Sequence, residues 1–495
     1  MAEATVDRHA IFANNIPLTK PLTLREAFHR ALAYNLDALV KAREEALAQN
    51  DLDVSRYALL PRVGAEATGS TRGNVDASSS TAIATGAQSL VPSTSTDRSL
   101  LAADLTMSWN ILDFGVSYFN ARQQANRVLV VEEQRRKVIE TLMQDVRRAY
   151  WRAAAAQHLH EQIVEAIRAA QNALPAARKA ETEGLHSPVD SLRYQKALLE
   201  VIGQLEDVQH VLDVSKIELA SLINLPPDQP YTLAVPPDHD IHLHSMVMPV
   251  MEMEETALLL NPDIREQSYQ VRITADEAHK ALLRLLPGLN LSFTPNYDSN
   301  SFLVNHFWVA GAARVTGNLT DLITIPVVTA ESDQALALAL RKREAISMAV
   351  LTKLHIAYQE YTSAASEYKI STQLADVDQR LYRQISNQAA TDVEGDLERV
   401  SAQVSAVFSE LRRYQSYADA QAALGRIYAT LGIGLGPDHD ELLDLAAVGK
   451  EVHGFYAEWN QSKPAVPLKQ VSLPLTAKIA DAQPLGQAAP SAGQH

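Results

Sequence analysis

Two hydrophobic periods alternate along the chain. Leu142, Val146, Ala149, Ala153, Ala156, His160, Ile163, Ile167, Ala170 and Leu174 follow one another in steps of four and three, with His160 the one polar member. Such a 3.5-residue seam is the signature of a coiled coil, and its alanines let helix axes approach closely. The helix predicted from about 116 to 183 is roughly 100 Å long at about 1.5 Å per residue, with Pro175 bending it near its far end. Beyond a break in "GLHSPVDSL", Leu198, Ile202, Leu205, Leu212 and Leu219 resume the pattern. Elsewhere the period falls to two. Val63, Ala65 and Ala67 alternate with Gly64, Glu66 and Thr68. Leu101, Ala103, Leu105, Met107 and Trp109 alternate with Ala102, Asp104, Thr106 and Ser108. Leu289, Leu291, Phe293 and Tyr297 alternate with Asn290, Ser292, Thr294 and Asn296, and Phe307, Val309, Ala313 and Val315 with Trp308, Ala312, Arg314 and Thr316. Strands are therefore expected at about 62–70, 99–110, 288–298 and 305–317. Each has one apolar and one polar face over about ten residues, as a tilted strand between lipid and water has. The alternative is a pair of soluble hairpins packed on helices.

The chain is also written twice. Asn35 to Pro61 and Asn261 to Pro287 have the same spacing, and each ends in Leu-Pro before an alternating segment. At a second offset "WNILD" (Trp109 to Asp113) matches "GNLTD" (Gly317 to Asp321), and Ala149-Tyr150 matches Ala357-Tyr358. "LINLPPD" from Leu222 resembles "LGIGLGPD" from Leu431. The expected organisation is an N-terminal extension (1–22), a first repeat (23–240), a second repeat (241–445) and a Pro-, Ala- and Gln-rich tail (446–495). Each repeat reads helix, strand, strand, long helix, break, long helix. The fold class is α+β, mainly α.

The breaks near 184–188 and 387–392 are hairpin tips rather than kinks. Ser187-Pro188-Val189-Asp190 has a twin in Thr391-Asp392-Val393-Glu394, with a hydroxyl at the N-cap and a carboxylate three residues on, the capping-box arrangement. Pro188 then sits at the first helical position, where its missing amide hydrogen costs nothing.

Heptads specify packing and not task, so a soluble coiled-coil scaffold fits the helices equally well. The strands weigh differently. Four strands do not close a barrel, and an open sheet in lipid leaves backbone groups unpaired. If the strands lie in a membrane, several chains must share one barrel. The connection after the first strand is rich in Ser and Thr, as an exposed loop is. Tyr297, Phe302, Phe307 and Trp308 are expected to form an aromatic belt at one interface, with Trp109 near the other.

Composition narrows the choice. The net charge of −15 argues against nucleic acid, whose phosphates need concentrated Lys and Arg. The chain has no cysteine, hence no disulfide, thiolate ligand or cysteine nucleophile. No run of about 18 apolar residues predicts a transmembrane helix, which leaves a β-barrel open. The start "MAEATVDRHA" has no basic segment followed by an apolar core, so a cytosolic protein and a chain whose signal has been removed are both open. His239, His242 and His244 form either a metal-recruiting cluster or part of a solvated linker between the repeats. Phosphate loops, nucleophile elbows and zinc-protease motifs do not occur, so no enzyme, cofactor or metal site is expected.

Order, duplication and spacing together resemble the TolC-type outer-membrane efflux proteins, over about Leu22 to Asp440. "GLHS" resembles the family's Gly-x-x-Ser/Thr break and "LTMSWNILDFG" its second-strand signature. The resemblance implies a homotrimer whose twelve strands form an outer-membrane barrel continuous with a long periplasmic α-barrel. It implies a periplasmic adaptor and an inner-membrane transporter as partners, and outer-membrane lipid around the barrel. The function implied is passive conduction in a tripartite efflux or type I secretion system. In the family, carboxylates beside the second break ring the periplasmic entrance. Here "QAATDVEGDLERV" places Glu394 at the first such position and Asp396 one residue out of register with the second, with Asp190 at the matching place of the first repeat. Gln388 stands where the family has glycine. Gly184, Ser187, Pro188, Gln388 and Thr391 are the expected adaptor-docking tip residues. Capping of helix ends is an equally consistent role for Asp190 and Glu394.

Overall fold

The computed structural model describes residues 17–89, 91–183, 187–226, 229–235, 243, 248–388 and 393–433, with 6 and 10–12 beside them; for 180 and 393–397 it describes the backbone only. The first repeat runs α1 (Leu24–Tyr34), α2 (Leu36–Tyr57), β1 (Arg62–Thr71), the short strands β2 (Ala77–Ser78) and β3 (Ser93–Thr94), β4 (Ser99–Asn110), α3 (Ile111–Thr182) and α4 (Pro188–Leu222). The second runs α5 (Val250–Leu260), α6 (Pro262–Leu283), β5 (Gly288–Asp298), β6 (Phe307–Thr316), α7 (Leu319–Gln388) and α8 (Val393–Leu431). The four long strands fall where the period-two pattern places them. They form one antiparallel sheet in the order β1-β4-β5-β6, so the two repeats join through β4 and β5. The pair β2–β3 lies within the Ser/Thr-rich connection, where only a loop was expected. That connection is tied to the shorter one of the second hairpin: Ser301 donates to Asp97 through its amide and its hydroxyl (2.9 Å), and the Asn300 amide group donates to the Ser95 carbonyl.

Strand passes into helix almost without a loop. Asn110 ends β4 and caps α3, its Oδ1 accepting from the amides of Leu112 (3.0 Å) and Asp113 (3.3 Å). Asn318, the equivalent residue of the second repeat, accepts from Thr320 and donates to Asp321. The turn before it is tight, because a Cβ on Gly317 would lie 3.0 Å from Pro287. The helices that follow are 72 and 70 residues long, each about 105 Å at about 1.5 Å per residue. Pro175 and Pro326 lie inside them.

Each repeat closes on itself with the same joint. Asn35 Oδ1 caps α2 by accepting from Asp37 (3.0 Å) and Ala38 (3.2 Å), while its Nδ2 donates to the Leu222 carbonyl at the end of α4. Asn261 caps α6 through Asp263 (2.9 Å) and Ile264 (3.4 Å), and donates to Thr430 at the end of α8. Both closing helices end in a left-handed residue, Asn224 (φ 54°) and Gly432 (φ 70°). The next amide in each case bonds five residues back, Leu225 to Ala220 and Ile433 to Tyr428, which is a Schellman ending. At Gly432 the glycine is also a steric need, since a Cβ there would collide with the Leu260 carbonyl.

The cores are coiled-coil seams. In α4 the buried residues Ser191, Leu198, Leu205, Leu212 and Leu219 recur every seven positions, with Ile202 half-buried. Leu198, Leu205 and Leu212 cluster with Ala156, Leu159, Ile163, Ala166 and Ala170 of α3, and with Val400, Val404 and Val407 of α8. His160 is not part of this seam; it is exposed and Leu159 takes the buried place. The expected positions Ala149, Ala156, Ile163 and Ala170 are buried, and only the intervening set moves by one residue, from 160 to 159 and from 167 to 166. Leu22, expected in an extension, is fully buried and pairs with Leu233. Tyr150 donates to the Ala234 carbonyl (2.7 Å), and Gln157 both donates to and accepts from Leu233, so the inter-repeat segment is strapped to α3. The predicted tail 446–495, the histidines at 239, 242 and 244, and the repeat end after 433 lie outside the described residues.

One stretch of α7 is apolar enough to cross a membrane, with a mean hydropathy of 1.2 over 18 residues, 11% buried. Exposed apolar residues run the whole length of this helix, from Leu319 and Ile323 to Val377 and Leu381. A bilayer core of about 30 Å does not account for a stripe about three times as long.

Replacing Asn35 or Asn261 by Ala removes a cap and a bond to the closing helix. Each is expected to cost about 1–2 kcal/mol. The two joints share no hydrogen-bond partner, so thermal melts of the purified protein should show a double variant shifted by the sum of the single shifts.

Candidate functional site: a two-faced sheet and the hairpin tips

The register sorts the sheet into two surfaces. Val63 pairs with Met107, Met107 with Phe293, and Phe293 with Gly311; Ala65 pairs with Leu105, Trp109 with Leu291, and Leu291 with Ala313. All of these share one face. The apolar residues on it stand open: Leu105 is 48% exposed, Phe293 52% and Val315 70%. A soluble hairpin pair packed on helices would cover this face, and within the described chain nothing does.

The other face is polar. Glu66, Asp104, Asn296 and Trp308 stand in one row across all four strands. Like charges directly opposite each other destabilise a strand pair, so placing Glu66 against Asp104 works against the fold. Neighbouring hydroxyls offset part of that: Thr106 donates to Asp104 (2.9 Å) and Thr68 to Glu66 (3.3 Å). Arg62, Ser108 and Ser292 form another row, and Asn110, Asn290 and Arg314 a third. The rows were hidden in the sequence because the β4–β5 pairing joins residues some two hundred positions apart.

The aromatic residues divide between the faces. Tyr297 pairs with Phe307 on the apolar face at the hairpin end of the sheet. Trp109 is on the same face at the helical end, edge-on to Phe114 at 5.9 Å. Phe302 is exposed in the β5–β6 connection. Trp308 does not belong with them. It is adjacent to Phe307 in a strand of period two, and its partner Asn296 places it on the polar face.

At the first tip, Ser187 Oγ accepts from the Asp190 amide (3.4 Å) and Pro188 opens α4. Asp190 is exposed, 3.7 Å from Arg193. Gln388 is the last residue of α7 and exposed. Gly184 and Thr391 lie outside the described residues. Glu394 and Asp396 are in the first turn of α8, their side chains not described.

Residues 27–225 match the family described as "Outer membrane efflux protein". In structure the chain is similar to the outer-membrane channel OprN (TM-score 0.62, 16% identity, 83% of this chain and 90% of that one). It is similar to the Campylobacter jejuni CmeC outer membrane channel (0.65, 14%, 86% and 89%) and to the open state of the Neisseria gonorrhoeae MtrE outer membrane channel (0.60, 17%, 81% and 88%). No curated protein matches the sequence. The resemblance to the outer-membrane efflux proteins thus stands on a sequence match over residues 27–225 and on a fold shared over 81–86% of the chain. That fold is the TolC-type α+β architecture of outer-membrane channels.

With no native cysteine, single cysteines report the two faces cleanly. In lipid, a cysteine replacing Asp104 or Trp308 should react with a water-soluble maleimide, while one replacing Leu105 or Phe307 should be protected. Equal labelling of both sets by mass spectrometry would contradict the two-faced sheet.

Proposed function

We propose that the protein is the outer-membrane channel of a tripartite efflux or type I secretion system, passively conducting substrates from an inner-membrane transporter and a periplasmic adaptor to the exterior. The observation that carries this reading is the open sheet: ten- to twelve-residue strands, one face apolar and uncovered, running directly into helices about 105 Å long. The edge strands β1 and β6 lack outer partners among the described residues. Three copies, each contributing four strands, pair β1 of one with β6 of the next and close a barrel. The same ring gives the exposed apolar residues of α7, such as Met348, Ile370 and Leu374, helices of the next copy to pack against. The barrel lies in the outer membrane, and the helices extend through the periplasm to the tips, where Gly184, Ser187, Pro188, Gln388 and Thr391 meet the adaptor. The function is conduction and not catalysis, and the described residues offer no converged acid–base or nucleophile site for an enzyme. A soluble coiled-coil scaffold leaves both the apolar face and the strand edges without a purpose.

Purified trimer in a planar bilayer should give discrete conductance steps; protein that is monomeric and soluble without detergent would exclude the channel. The Glu66–Asp104 row sets a cation preference in the barrel lumen, so the Glu66→Gln/Asp104→Asn double variant should shift the reversal potential in a salt gradient toward that of an unselective pore. At the tip, Glu394→Gln should weaken block by multivalent cations added on the periplasmic side. An unchanged blocking concentration would remove Glu394 from the entrance.

A further inference from the structure

A knot of charges lies where the two repeats meet, far from both the sheet and the tips. Its centre is Arg136 on α3. Glu133 and Glu140, one turn to either side, each approach it at 3.4 Å. A third bond from Arg136 goes to the carbonyl of Gly432, the left-handed residue that closes α8. Arg136 is therefore a clasp between the middle of one long helix and the end of another.

The two carboxylates are not equivalent. Glu133 also receives Arg265 from α6 at 2.6 Å. Glu140 has no second cation, and its Oε1 lacks a well-aligned hydrogen bond among the described residues although it is 7% exposed. It lines a crevice of about 610 Å³ with Leu39 of α2, Met143 of α3, and Ala429 and Ile433 from the end of α8. Glu132 of α3 lines the same crevice and adds to its negative charge, and the cations around it are directed to other carboxylates. Asp263 of α6 takes Lys137 (2.5 Å) and Lys353 of α7 (3.5 Å), and Glu45 of α2 takes Arg135 (2.8 Å). Arg426 of α8 is turned to Glu360 of α7. Burial, with Glu133 and Asp263 adding to it and Arg136 opposing it, pushes the Glu140 carboxyl up to about 7. Burial also raises Glu133, against its two arginines.

We propose that Glu140 is a proton-binding site that sets the tightness of the joint between the repeats: protonated, it leaves Arg136 to Glu133 and the Gly432 carbonyl and closes the joint; ionised, it draws water into the crevice and loosens it. The folded carboxyl holds its proton to higher pH than the solvated one. The joint is therefore stabilised as pH falls through about 7 toward the ordinary glutamate range, and loosens above it. This holds whether or not the chain conducts.

The test is hydrogen exchange on the intact protein. Protection of the peptide spanning 425–433, corrected for intrinsic rates, should be about tenfold higher at pH 6 than at pH 8, while peptides from the lower half of α4 stay unchanged. Equal protection of 425–433 at both values in the parent protein overturns the proposal. In Glu140→Gln the protection should be high and flat across this range. A variant that keeps the parent's pH dependence assigns the proton elsewhere and overturns it as well.

Discussion

A backbone amide without a partner in hydrocarbon costs several kcal/mol, and among the described residues the sheet of this protein has two edges with no strand beside them. Much of the remaining architecture follows. In the proposed barrel the two open edges of this four-stranded sheet are met by further copies of the same sheet. Because Asn110 and Asn318 carry strand into helix with scarcely a linking residue, closing the sheet also brings the long helices of adjacent copies together. The apolar stripe on α7 then has a partner by the same operation that satisfies the edges.

The duplication makes this economical, since one joint serves twice. Asn35 and Asn261 each do two tasks with one side chain, starting a helix with the oxygen and holding the end of another with the nitrogen. The left-handed positions that follow are filled differently, by Asn224 and Gly432, and the difference has a local cause: only at Gly432 does a neighbouring carbonyl exclude a Cβ.

Much of this was legible in the sequence because its causes are local. Strand boundaries follow from period two, and the break at Ser187 from capping chemistry; both lie within a few residues of where they were expected. What was not legible depends on pairing across long separations. The opposition of Glu66 and Asp104 needs the β1–β4 register, and extending their row to Asn296 and Trp308 needs the contact between repeats. Trp308 was grouped with Phe307 as an interface aromatic, although period two already set the two on opposite faces, and the pleat separates them. His160 was placed by alternating steps of four and three, and the buried face takes Leu159 instead. The Glu133–Arg136–Glu140 spacing is visible along α3, but Gly432 and Arg265 reach it only through the fold.

The two hairpins differ in one respect that duplication alone would not produce. The connection at 72–98 is long and carries its own small strands, whereas the one at 299–306 is short and tied beneath it through Asp97. In the proposed trimer, an antibody or phage arriving from outside would meet three copies of the long segment and little of the short one. Recognition from the exterior would then select on a stretch that neither closes the sheet nor lines its polar face, leaving that stretch free to diverge while the conduit stays the same.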